Sequence, residues 1–120
     1  MRLVKDEEEF WQALDRLVEG SRVVVDRPKG SRHPRFPERV YPLDYGYLEG
    51  TTASDGAGVD VWVGGLRPTR VTGAVATVDL LKRDTELKLL LGCDEQEMAV
   101  IRDFLCSGPM QAVVLRRGSA

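Results

Sequence analysis

Asp55 and Asp60 stand at the two ends of the segment DGAGVD, with Gly56 and Gly58 between them. Carboxylates are hard oxygen donors, and a glycine-relaxed turn can deliver one of them from a loop and the other from the first strand residue onto a single hard cation. Immediately upstream, YPLDYGYLEG supplies Tyr41, Tyr45 and Tyr47 together with Asp44 and Glu49. Phenol hydroxyls donate to phosphate oxygens, so the turn-rich run from Tyr41 to Val63 has the residue types of a metal and phosphate site, ending in an apolar strand. A second set lies earlier, where Asp26 precedes Lys29, Arg32, Arg35 and Arg39 around the chain's only histidine, His33. Arginine binds phosphate through paired N–H donors and lysine as a point charge; a solvated basic loop is the plain alternative. A third set, Asp84, Glu86 and Lys88, falls in a charged connection between two apolar runs, where an ordinary hairpin is the competing reading.

Taken in order, YPLDYGYLEGT followed by DGAGVDVWV resembles the signature region of the soluble, magnesium-dependent inorganic pyrophosphatases, a β-barrel family. Upstream, VVDRPKGSR (Val24 to Arg32) resembles that family's strand and Pro-Lys-Gly-Ser-Arg loop, and the resemblance extends from Arg22 to Leu91. It implies hydrolysis of pyrophosphate with Mg2+ as cofactor, a catalytic centre of Tyr45, Asp55 and Asp60, and metal ligands Asp26, Asp55, Asp60, Asp84 and Glu86. It also implies substrate contacts from Lys29, Arg32, Arg35, Tyr45 and Lys88. The sequence departs from the family at two adjacent positions: the loop pattern Asp-Gly-Asp-Pro-x-Asp has Ala57 for its middle aspartate and Gly58 for its proline. That aspartate is implied to help activate the attacking water, so its loss leaves either an enzyme of reduced activity or one whose base is Asp44, Glu49 or His33. The hairpin before the tyrosine block has shrunk to His33 to Val40, leaving Arg35 and Glu38 nearest to a family lysine and glutamate. Family members commonly assemble, which extends the expectation of a homo-oligomer to this chain. Two other readings stay open on sequence alone, a non-catalytic phosphate or nucleotide-binding module and a hydrolase of a larger phosphoanhydride, because a deleted hairpin opens the pocket.

Positioning these residues falls to a chain of 120 residues, read as one domain over 1–120 with room for a single core. The expected fold is α+β: a small, mainly antiparallel β-barrel or strongly curved sheet with an N-terminal helix and a second helix in the C-terminal half. Asp6 is expected to cap the first helix, whose apolar stripe is Phe10, Trp11, Leu14, Leu17 and Val18, with Gly20 as its stop. Strands are expected at 21–26, 59–63, 70–80, 86–91 and 110–115. Asp94 and Glu97 form a capping-box-like start to a helix with Met98, Ile101, Phe104 and Leu105 on its apolar face, and Arg116 to Ala120 reads as a polar, partly mobile tail. Phe10, Trp11, Trp62 and Phe104 are expected in the core, as are Tyr41 and Tyr47 with polar tips.

Seventeen Lys and Arg against nineteen Asp and Glu leave the chain slightly acidic, which argues against nucleic acid as a partner. Two cysteines, Cys93 and Cys106, make neither a disulfide framework nor a zinc site and read as core. The start lacks the apolar run of a signal peptide and no later stretch is long enough to span a bilayer, so the expectation is a cytoplasmic protein whose partner is pyrophosphate or another small phosphorylated compound. No Gly-x-x-x-x-Gly-Lys loop is present, which removes nucleotide-driven motors and kinases.

Overall fold

A helical apolar stripe at one end, β-branched runs in the middle and a capped helix near the other end produce eight elements. A computed structural model of the chain describes residues 3–66 and 70–118, with side chains from residue 7 onward. In chain order these are α1 (Leu3–Glu19), β1 (Arg22–Arg27), β2 (Asp44–Glu49), β3 (Val59–Val63), β4 (Val71–Asp79), β5 (Asp84–Leu91), α2 (Glu95–Leu105) and β6 (Met110–Arg116). The six strands form one mixed sheet in the order β1-β2-β3-β5-β4-β6, with β3 parallel to β5 and the other neighbours antiparallel. The fold is α+β, as expected, but the sheet is open: β1 and β6 are its edges, so the pairings do not make the barrel.

Side chains alternate across a strand, and the two faces of this sheet carry separate cores. On one face α1 covers Leu48, Val61, Val71, Ala74, Leu89 and Leu91 with Trp11 and Val18. On the other, α2 lays Met98, Ile101 and Leu105 over Trp62, Val75 and Leu90, beside Tyr41 and Leu43. Asp94 and Glu97 make the expected capping box, and the Glu97 carboxylate also accepts from the Gly65 N–H at 3.0 Å, tying the start of α2 to the end of β3.

Several expectations are corrected. α1 begins at Leu3, so Asp6 lies inside the helix and not ahead of it. Phe10 and Leu17 are exposed, because the stripe that meets the sheet is the narrower one through Trp11, Leu14 and Val18. Asp44–Glu49, expected as part of a turn-rich stretch, is a full strand paired on both sides. The expected mobile tail is anchored as far as Arg117, whose side chain is 5% exposed and pairs with Asp15 at 2.7 Å and Glu8 at 2.9 Å on α1; Ser119 and Ala120 lie outside the described residues. Cys93 is buried and its thiol is pushed up to about 12, first by burial and then by the Glu97 and Asp94 carboxylates, in keeping with a core role. Among the described residues no helix is long and apolar enough to cross a membrane.

Candidate functional site

The face of the sheet that holds α2 also holds a cleft of about 390 Å³, where the helix leaves the lower ends of β2, β3 and β5 uncovered. Register explains its composition. Tyr45 lies opposite Trp62 and Tyr47 opposite Asp60 across β2 and β3, and on β5 Glu86 and Lys88 follow with the same two-residue period, so all six point to one side. Consecutive residues Asp26 and Arg27 both reach the cleft because the β1–β2 register slips between Val25 and Arg27, and a bulge there breaks the alternation. Gly46 faces β1 at this point with no room for a side chain, since an added Cβ would sit 1.8 Å from the Val24 carbonyl oxygen.

Lys88 is the electrostatic centre. Its ammonium is 7% exposed as a residue and spends all three N–H donors inside the protein, on the Tyr45 hydroxyl at 2.9 Å, Asp60 at 3.1 Å and Glu86 at 3.3 Å. Burial by itself disfavours its charge, but the oxygens of Tyr45, Asp60 and Glu86 outweigh that and hold the ammonium charged. The Tyr45 phenol is pushed well above its usual range, first by burial and further by Asp60, although the Lys88 charge pulls the other way; it stays neutral, an O–H donor.

Asp55 sits on the loop between β2 and β3, and one of its oxygens accepts the Ala57 N–H at 3.0 Å. Gly56, at φ 87, supplies the left-handed turn that the glycine-rich spacing demanded, and the Thr51 hydroxyl closes the loop base by donating to Leu48 O at 2.7 Å and accepting from the Val59 N–H at 3.0 Å. Asp26 is exposed on the cleft wall, where its side chain makes no hydrogen bond with another described residue and lies in the field of the neighbouring Arg27.

Of the candidate residues, then, the cleft gathers Asp26, Tyr45, Asp55, Asp60, Glu86 and Lys88, together with His33. It does not gather Lys29, Arg32, Arg35 or Asp84. The loop from Pro28 to Val40 folds back on itself through Gly30 N–H to Tyr41 O, Tyr41 N–H to Ser31 O and His33 N–H to Arg39 O, which turns His33 and Arg39 inward and leaves the exposed Lys29, Arg32 and Arg35 out of the lining. Arg32 donates to Pro37 O at 2.9 Å, and the Lys29 N–H donates to Asp44 at 2.8 Å. Asp84 pairs at 3.6 Å with the solvated Lys82, whose side chain does line the cleft. Arg27 and Lys82 are cleft cations that sequence reasoning did not single out; Arg39, singled out only as one of a basic cluster, lies over the Phe104 ring at 4.3 Å and donates to Phe104 O. Phe104 and Tyr47, expected as core, are half-buried cleft walls.

The three candidates for a substitute base fare differently from the expectation. Asp44 holds the Lys29 N–H and Glu49 pairs with Arg22 at 3.2 Å, both outside the cleft lining. His33 Nδ1 accepts the N–H groups of Arg35 at 3.0 Å and Phe36 at 3.3 Å, which places the proton of the neutral ring on Nε2 and makes it a donor to the cleft. Burial, then Arg27, Arg39 and Arg35, lower its affinity for a second proton below the ordinary 6.5. A lowered histidine value means that the unfolded chain takes up a proton first as pH falls, so stability is full above pH 6.5 and declines below it. His33 is the only histidine, so the thermal midpoint should be flat above about pH 6.5 and fall towards pH 5, and His33→Asn should remove most of that fall. Equal slopes in the two proteins would contradict this.

The resemblance implies magnesium, and the donors present can be tested against it. Among the described residues no three of His, Cys, Asp and Glu converge as a preformed metal cage. The cleft carboxylates Asp26, Asp55, Asp60 and Glu86 are nevertheless hard donors with oxygens not used by the bonds above, and magnesium takes only one or two protein carboxylates, keeping waters and phosphate oxygens for the rest. The donor set therefore fits magnesium that arrives with a phosphorylated ligand.

No protein-family model matches the sequence, and no curated protein matches it. Solved structures do resemble it. An inorganic pyrophosphatase from Helicobacter pylori superposes with a TM-score of 0.55 at 18% identity, over 82% of this chain and 85% of that one. An inorganic pyrophosphatase from Neisseria gonorrhoeae gives 0.55 at 20% identity over 78% and 81%, and an inorganic phosphatase from Anaplasma phagocytophilum gives 0.53 at 18% over 78% and 81%. At such identities the likeness is one of fold, and the fold is inorganic pyrophosphatase-like.

Proposed function

We propose that this chain hydrolyses inorganic pyrophosphate to two phosphates, with magnesium, in the cleft between β1, β2, β3, β5 and the end of α2. The observation that carries the reading is the closed network of Lys88, Tyr45, Asp60 and Glu86, set beside Asp26 and Asp55 in a pyrophosphatase-like fold. Bound magnesium, held by Asp60 and Asp55, would neutralise phosphate charge and make a bound water more acidic. The residues supply the remainder. Lys88 keeps Asp60 and Glu86 close together despite their like charge, so the carboxylates are organised before substrate arrives. Lys88 donates to a phosphate oxygen by exchanging one of its internal bonds, and the neutral Tyr45 donates its O–H while its oxygen still accepts from Lys88; charge-assisted bonds of the lysine strengthen as negative charge builds on the transferred group. Arg27 and the Nε2–H of His33 offer further donors from the cleft lining. Asp26, exposed on the cleft wall, adds a further hard carboxylate for the metal.

Ala57 offers a direct test. A positioned base contributes on the order of a hundredfold to ten-thousandfold. If the cleft works as proposed, Ala57→Asp should raise phosphate release from pyrophosphate by at least about tenfold, a fraction of the full effect of a positioned base. An unchanged or lower rate would show that another group already does this task, or that pyrophosphate is the wrong substrate.

A further inference from the structure

The cleft has an end wall for which a bare diphosphate has no use. Phe104, Leu105 and Met110, from the end of α2 and the start of β6, line it together with Arg39. Inorganic pyrophosphate is an anion without carbon and gains nothing from apolar contact. The volume of about 390 Å³ corresponds to on the order of a dozen water volumes, room for a diphosphate and a further group. Arg39 is the decisive residue. Its guanidinium lies over the Phe104 ring at 4.3 Å and is tied to the Phe104 carbonyl, while its side chain still lines the cleft. Phe104 is backed in turn by Tyr41 at 5.0 Å and edge-on by Trp62 at 5.7 Å. A guanidinium immobilised in this way is a flat, cationic platform, the kind of surface on which nucleobases stack.

We infer that the cleft accepts a nucleoside diphosphate or a related phosphoanhydride bearing an aromatic group, with its phosphates at the Lys88 network and its aromatic ring on the Arg39 platform beside Leu105 and Met110. This rests on the phosphate site proposed above and adds the organic end of the ligand. No covalent step is required, since the inference concerns binding.

The test is calorimetric binding, with magnesium present, of two non-hydrolysable ligands that share the same P–C–P unit: methylenediphosphonate and α,β-methylene-ADP. The adenosine compound should bind at least about tenfold more tightly, the margin expected of one stacked base. Arg39→Lys keeps the charge and removes the plane, and should cut that margin to below about threefold, less than one stacked base contributes. Methylenediphosphonate binding as tightly as the adenosine compound, in the unaltered protein, would overturn the inference; so would a margin that survives Arg39→Lys. Binding of neither ligand would sink the phosphate site itself and this inference with it, an outcome separable from the other two.

Discussion

Replacing Asp60 by asparagine is expected to cut magnesium-dependent pyrophosphate hydrolysis by at least about a hundredfold, the size of effect seen when one preorganised electrostatic contact is lost. The fold should persist. Asparagine has nearly the same shape, and Lys88 retains Glu86 at 3.3 Å and the Tyr45 hydroxyl at 2.9 Å, so the buried ammonium keeps a charged partner. The stability cost should be about 1–3 kcal/mol, that of weakening one hydrogen bond between charged groups. A purely structural role for Asp60 predicts a different pattern, with lowered stability and unchanged magnesium dependence of turnover. Thermal unfolding measured beside a magnesium titration separates the two, and full activity at ordinary magnesium in a folded variant would remove Asp60 from the site.

Gly46→Ala is expected to have the largest effect on stability. The added methyl would lie 1.8 Å from the Val24 carbonyl oxygen, 2.7 Å from its carbon and 2.9 Å from Val25 Cα, and none of these is a flexible side-chain end. Strand β1 would have to leave β2, which breaks the edge of the sheet and the bulge that aims Asp26 and Arg27 into the cleft. A loss above about 4 kcal/mol is expected, against a total for such domains of about 5–15 kcal/mol. Gly50→Ala is the fitting control. Gly50 has φ 84 but nothing within 4 Å of an added Cβ, so only the left-handed conformation is penalised, by about 1–2 kcal/mol. A urea midpoint for Gly46→Ala no lower than that for Gly50→Ala would contradict the close-approach argument.

The sequence was most readable where local chemistry and strand period coincide. DGAGVD announced a glycine turn, and Gly56 provides it; alternation then places Asp60 and Trp62 on one face and Glu86 with Lys88 on the neighbouring strand. The capping box at Asp94 and Glu97 was likewise legible, since every partner lies within one helical turn. Strand β2 was hidden because Asp44 and Gly46 read as turn residues, whereas Tyr45 and Tyr47 alternate with Gly46 and Leu48 in a clean strand pattern. Lys29, Arg32 and Arg35 could not be told from His33 and Arg39 by residue type, because only the backbone bonds folding 28–41 onto itself decide which side chains face inward. Arg27 enters the cleft through a bulge, and Phe104 through the docking of α2; both are tertiary facts that no local pattern encodes. Openness of the sheet was equally beyond local reading, since it depends on β1 and β6 failing to meet.

The most direct test of the central claim is phosphate release from pyrophosphate by the purified chain, with magnesium raised from zero and Asp60→Asn run alongside to expose contaminating activity. Turnover that appears only with magnesium and vanishes in the Asp60 variant is the expected result. A folded protein that releases no phosphate at any magnesium concentration, or releases it equally with and without Asp60, would contradict the account.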